Sequence, residues 1–156
     1  MIASRALLSV VACLAMIPLA NASELGVAGS SGQLVLVGAV ADRCTIELED
    51  LNVGLDLVDG ADEVVVARVT EDCNDPQGYT VTVSSANSGN LVSTAGAAVA
   101  YQVSYGESSA TSLASAASIT RGSARFDAVH HLAISVPPST TRTAGDYADT
   151  LTIPVA

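Results

Sequence analysis

The sequence has no lysine and no tryptophan, and only five of its 156 residues are aromatic: Tyr79, Tyr101, Tyr105, Tyr147 and Phe126. All six basic residues are arginine, set against 16 Asp and Glu. A net charge of −10 excludes a protein that grips nucleic acid or an anionic membrane surface, because such a protein needs Lys or Arg to replace phosphate counterions. Intrinsic disorder is excluded by the opposite pair of features, 49% hydrophobic residues and only 14% charged ones. The length accommodates one domain. Motifs for catalysis are missing as well: no Gly-x-Ser-x-Gly elbow, no His-Glu-x-x-His and no phosphate-cradling glycine loop. The only histidines, His130 and His131, are adjacent, so on a strand they point to opposite faces and cannot share a metal or a catalytic task. Parity puts His130 toward the core with Leu132 and His131 outward. No enzyme is expected, and no catalytic residue, metal or cofactor is implied.

What is present begins with a secretory leader. Residues 1–22 carry Arg5, an apolar run from Ala6 to Ala20, and the small-x-small pattern Ala20-Asn21-Ala22 ahead of a cut before Ser23. The run lacks a charged stop and is short for a transmembrane helix. Val10-Val11-Ala12-Cys13 loosely resembles a lipobox, but the apolar stretch before Cys13 is only seven residues and continues past it. Removing the leader leaves 134 residues, with five Arg against 16 acidic residues, a net charge of −11. Two cysteines remain, Cys44 and Cys73. Export to an oxidising compartment makes a disulfide between them the default reading. Closing a loop of about 30 residues contributes about 3.5 kcal/mol on the chain-entropy account. A zinc site would need nearby histidines, and a redox site a C-x-x-C, neither of which accompanies this pair.

The remaining chain follows a period of two. Residues 33–40 are almost all apolar, the pattern of a strand covered on both faces. Ile46 and Leu48 alternate with Glu47 and Glu49, the phase slips at Asp50, and it resumes with Leu51, Val53, Leu55 and Leu57. A one-residue slip points to a bulge or tight bend. Residues 64–70 form a β-branched run. Tyr79, Val81 and Val83 alternate with Thr80, Thr82 and Ser84. Residues 86–98 read as a loop, and Val99, Tyr101, Val103 and Tyr105 alternate again. The Ser/Ala/Thr-rich residues 106–122 read as a surface connection. Phe126, Ala128, His130, Leu132, Ile134 and Val136 share one parity, ended by Pro137-Pro138. Tyr147, Leu151, Ile153 and Val155 share the parity of the last strand. About seven strands at roughly 10–20-residue spacing make an all-β sandwich. The acidic groups Glu47-Glu49-Asp50 and Asp59-Asp62-Glu63 lack the spacing of a calcium loop and read as solvated turns. Asp146 and Asp149 likewise read as turn chemistry.

Three stretches carry a family resemblance. The first is Gly32-Gln33-Leu34-Val35-Leu36-Val37 leading to Cys44-Thr45-Ile46. The second is Cys73, Tyr79-Thr80-Val81-Thr82-Val83, Asn90-Leu91-Val92 and Val99-Ala100-Tyr101-Gln102-Val103. The third is Ala144-Gly145-Asp146-Tyr147-Ala148-Asp149-Thr150-Leu151-Thr152-Ile153. Together they resemble the spore coat protein U domain family, which includes the pilins of archaic chaperone–usher pili. The resemblance implies an immunoglobulin-like sandwich that lacks its final strand. A periplasmic chaperone would lend that strand, and at an outer-membrane usher the N-terminal extension of another pilin subunit, in a homo- or heteropolymer, would replace it. Such strand addition uses main-chain hydrogen bonds along an open edge and pockets for alternate side chains.

On this resemblance, residues 23–41 are the donor extension, with Gly32, Leu34, Leu36, Gly38 and Val40 on one face, and residues 42–156 are the sandwich. The acceptor groove would be bordered by Tyr147, Leu151, Ile153 and Val155 and by the strand after Cys44. Without the resemblance, the same apolar segment reads as the first strand of its own sheet. Val35 and Val37 make its second face apolar too, and Pro154, lacking an N–H, fits only an edge or strand end. The implied route is export through the inner membrane to the periplasm and then to a pilus on the cell surface, with a role in adhesion or biofilm formation. The alternatives are a self-contained secreted coat protein of the family and a carbohydrate-binding adhesive module, the latter needing a concave exposed patch with Tyr101, Tyr105 or arginines.

Overall fold

The computed structural model describes residues 31–156. The leader, residues 1–22, and the first part of the expected donor extension, residues 23–30, lie outside the described residues. The chain is all-β there, with strands β1 (Cys44–Asp50), β2 (Ala61–Cys73), β3 (Tyr79–Ser85), β4 (Asn90–Ser93), β5 (Ala98–Ala100), β6 (Gln102–Tyr105), β7 (Thr111–Ser112), β8 (Ala117–Arg121), β9 (Arg125–Val136), β10 (Tyr147–Ala148) and β11 (Leu151–Thr152). One sheet runs β1-β2-β9-β6-β7, and every pairing in it is antiparallel. Facing it are two shorter ladders, β10-β4-β5 and β11-β3-β8. They share the C-terminal segment, which pairs with β4 through Tyr147 and Ala148, with β3 through Leu151 and Thr152, and again with β3 where Val155 bridges Val81. This is an immunoglobulin-like β-sandwich.

Alternation builds the core. In β2 the odd-numbered side chains Ala67, Val69, Glu71 and Cys73 are buried, and in β3 Tyr79, Val81 and Val83 are. Val103, Leu132, Ile134 and Val136 close on them from β6 and β9. Most of these side chains are β-branched or small, which suits a thin space between twisted sheets. Cys44 lies directly opposite Cys73 in the β1–β2 register, and the two form the disulfide. The turn before β3 needs a glycine. Gly78 has φ +95°, and a β-carbon there would stand 1.9 Å from the Arg121 carbonyl oxygen.

Several sequence expectations change. The phase slip at Asp50 is a bend at Asn52, which takes a left-handed φ of 52° while its N–H donates to Asp50 Oδ1 at 2.8 Å. Residues 106–122 are more than a surface connection. They contain β7 and β8, and Leu113 between them is buried. The alternation of Ala117, Ile119 and Arg121 was hidden by small and polar residues. Residues 86–98 likewise contain β4. Parity places Phe126 on the core side of β9, yet it is 66% exposed. A bulge explains this: Glu71 pairs with Ala128 but Cys73 pairs with Arg125, and Asp127 within the extra residue's span has φ 48°. Residues 33–40 form no strand, although their composition reads as one. An extended segment is held as a strand only by a hydrogen-bonded neighbour.

Replacing both half-cystines (Cys44→Ser with Cys73→Ser) is expected to lower unfolding stability by about 3.5 kcal/mol, seen as a lower urea midpoint. An unchanged midpoint would contradict this account of the β1–β2 link.

Candidate functional site

Two features stand out as site candidates: a seam of unpaired strand edges and a buried carboxylate network. The seam is defined by main-chain direction. Leu51 N–H donates to the Val66 carbonyl at 3.0 Å and the Arg43 carbonyl accepts from Asn74 N–H at 3.1 Å, so the odd-numbered residues of β1 face β2. The main-chain groups of Cys44, Ile46 and Leu48 therefore point the other way. On the C-terminal segment, Thr80 and Ala156 exchange two hydrogen bonds of 2.8 and 3.0 Å, and Thr82 N–H donates to the Pro154 carbonyl at 3.0 Å. The main-chain groups of Leu151, Ile153 and Val155 consequently point away from β3. Among the described residues neither edge has a strand partner. Pro154 lies on an edge strand, and its missing N–H falls on the β3 side, so the outward side keeps all its donors.

The side chains at this seam are apolar and only partly covered. Ile46, Leu55 and Leu57 on one side, and Tyr147, Leu151, Ile153 and Val155 on the other, are half-buried against the core. Leu55, Val66, Leu91, Ile134 and Leu151 line one cavity of about 140 Å³ together with Tyr101 and Asp149. Leu34, Leu36 and Val40 are 83%, 85% and 86% exposed, and Val35 and Val37 are exposed as well. Gly32 and Gly38 have open space around them.

Asp149 fixes the C-terminal segment. Its carboxylate accepts from Ser85 Oγ and Tyr101 OH, both at 2.5 Å, and from the N–H groups of Asn87 and Thr150 at 3.0 and 2.7 Å. Burial alone would raise its pKa, but these donors outweigh burial and lower it. Burial and the bond to Asp149 push the Tyr101 hydroxyl up. Asp146 takes no part in this cluster. Asp149 therefore anchors a turn and does not form a carboxylate pair.

The buried network lies elsewhere in the core and was missed from the sequence. Glu71 has no solvent exposure. Its carboxylate accepts from Tyr79 OH and Tyr105 OH, both at 2.6 Å, and from Arg121 Nε and Nη2 at 3.0 and 2.9 Å. The five residues near this point come from β2, β3, β6, β8 and β9, so the network ties both faces of the sandwich together. His130 Nε2 stands 3.5 Å from Glu71 Oε2 and makes no hydrogen bond. Burial works to raise the Glu71 pKa, but the bonds from Arg121, Tyr105 and Tyr79 and the Arg121 charge bring it down to about 2. Tyr79 is pushed up to about 12, first by burial and then by its bond to the Glu71 carboxylate, and Tyr105 is raised for the same reasons. Burial lowers the His130 pKa, with Arg121 and Arg125 adding to it against the pull of Glu71, so His130 is neutral at pH 7. His130 points inward and His131 outward, as parity required. One signal was available in the sequence: Glu71 shares its parity with Val69 and Cys73, an acid among core positions.

Tyr101 and Tyr105 are both buried, so neither contributes to an exposed binding patch. The acidic turns satisfy their own backbone, as where Asp56 Oδ1 accepts from Val58 and Asp59 N–H at 2.8 Å each.

An immunoglobulin-like sandwich with one disulfide and unpaired edges at β1 and at the C-terminal segment is the class defined by this geometry. The Spore Coat Protein U domain model matches residues 31–154, and the chain belongs to that family. The family is associated with subunits of chaperone–usher pili, which makes the chain a surface protein of pilus or spore-coat-U type. No curated protein matches it. Among the described residues no helix is long and apolar enough to cross a membrane.

Because the folded pKa of Glu71 lies below the ordinary 4.5, its stabilisation is complete above that value and is lost as pH falls toward 2. The depressed His130 pKa acts with the same sign, beginning below 6.5. Glu71→Gln is expected to cost about 3 kcal/mol at pH 7, because Arg121 loses its buried counter-charge, and to flatten the acid limb of a stability–pH curve. Urea denaturation across pH 3–7 measures both, and a variant with wild-type stability and an unchanged acid limb would contradict this role.

Proposed function

We propose that the chain is a structural pilus subunit that polymerises by donor-strand exchange and carries out no catalysis. The observation that carries this reading is the pair of outward-facing main-chain edges, Cys44–Ile46–Leu48 and Leu151–Ile153–Val155, neither of them paired among the described residues and both flanked by partly covered apolar side chains. A strand inserted there hydrogen-bonds to both edges and covers that seam. Residues 32–40, when extended, span about 30 Å. Their exposed Leu34, Leu36 and Val40 share one parity with Gly32 and with Gly38, which falls between Leu36 and Val40.

The domain division that follows is a cleaved leader over residues 1–22, a donor over 23–41 and a sandwich over 42–156. An open edge bordered by apolar side chains is an aggregation hazard, which gives a periplasmic chaperone its task. The chaperone holds the seam until an outer-membrane usher replaces it with the extension of another subunit. The route is export to the periplasm, then the cell surface, where the polymer supports adhesion or biofilm formation.

The test uses the mature chain with its own donor disabled by Leu34→Arg and Leu36→Arg. A synthetic peptide of residues 23–41 is expected to raise its Tm by more than about 10 °C, since burying the two leucines and Val40 contributes about 5 kcal/mol. The same peptide with Leu36→Arg is expected to have little effect. Failure of the wild-type peptide to shift Tm, together with a stable monomeric wild-type chain, would favour a self-contained coat protein instead.

A further inference from the structure

The described residues hold seven basic side chains, five Arg and two His. Three are engaged separately: Arg43 lies 3.9 Å from Asp72, Arg68 lies 3.2 Å from Glu49, and Arg142 donates to the Pro137 carbonyl. The other four, Arg121, Arg125, His130 and His131, line one concavity of about 450 Å³ with Glu107 and Val129. Two of the five described arginines are here, on a chain whose mature form carries −11, while His130 is neutral at pH 7. Arg121 is committed to Glu71, but Arg125 forms no ion pair among the described residues.

The backbone adds donors and acceptors at the same place. β6 ends at Tyr105, opposite Leu132, and Gly106 N–H then donates to the His131 carbonyl at 2.9 Å. Beyond that point no strand among the described residues pairs with this edge of β9. By the two-residue repeat, Val129 presents its N–H and C=O on the same side as His131, into the uncovered stretch. Gly106 permits the packing, since a β-carbon there would stand 3.0 Å from His130 Nδ1. The concavity thus offers a fixed positive charge and an N–H beside two acceptors, the Val129 carbonyl and the Glu107 carboxylate.

Such a set suits a ligand with one anionic group and several hydroxyl donors. A bare carboxylate would use only the donors and fill a small part of the volume, and a neutral sugar would leave Arg125 unpaired. We propose that this concavity binds an acidic monosaccharide unit of the hexuronate type. Its carboxylate pairs with Arg125 and the Val129 N–H, and its hydroxyls donate to Glu107 and the Val129 carbonyl. The proposal stands apart from the polymerisation reading, because the site lies at the β6–β9 step and uses none of the seam residues.

Amide NMR spectra of the isotope-labelled mature chain, titrated separately with D-glucuronate, D-glucose, acetate and triglutamate, test it. D-glucuronate is expected to shift the Val129 and Gly106 amides saturably, with a Kd at least about tenfold below that of any of the other three. Arg125→Gln is expected to raise that Kd at least about tenfold while leaving Tm unchanged. Equal binding of acetate or triglutamate, an unchanged Kd in the variant, or no saturable shift with D-glucuronate would overturn the proposal.

Discussion

The sandwich depends on a carboxylate that never meets water. Glu71 receives two tyrosine hydroxyls and a bidentate arginine, and these partners reach it from both faces of the fold. A buried charge is tolerated only when paired and hydrogen-bonded, so Glu71, Tyr79, Tyr105 and Arg121 must be in place together. That requirement fixes the spacing and the register of the facing layers where small aliphatic side chains alone would leave both loosely specified. It also accounts for the tyrosines. All three buried ones need a polar partner for the hydroxyl, and all three find a carboxylate, Glu71 for two and Asp149 for the third.

The Asp149 anchor sits beside an edge that main-chain pairing leaves open. The disulfide holds β1 to β2 on one side, and Asp149 holds the C-terminal segment to the β3–β4 turn on the other. Each edge is thereby secured along its inner side while its outer side keeps its main-chain donors and acceptors. The apolar side chains there contribute less than full burial would give. In the donor-strand reading, another chain supplies the missing hydrogen bonds and cover in one step, so assembly and completion of the core are the same event. Membership of the spore coat protein U family fits a surface protein built this way.

Legibility in the sequence followed how local each signal was. The strands β3 and β6 and the C-terminal segment announce themselves by clean alternation, and the cysteine pair stands out with few alternatives. The slip at Asp50 became the left-handed Asn52. Other features depended on distant partners. Residues 71, 79, 105, 121 and 130 meet only after the strands pair, and nothing in their spacing announces it. β8 was masked by Ser and Ala, which carry weak hydropathy contrast. Phe126 followed the parity of its neighbours until the bulge at Asp127 turned it outward. The apolar run 33–40 reads as a strand because periodicity reports what a segment could bury, not which chain would cover it.

Hydrogen exchange of residues 23–156 at low and high protein concentration tests the central claim most directly. The account predicts fast exchange at the N–H groups of Ile46, Leu48, Leu151 and Ile153 in the dilute monomer, and strong protection once multimers form. Full protection of these amides in the dilute monomer would contradict it, because the seam would then be closed by the chain's own residues.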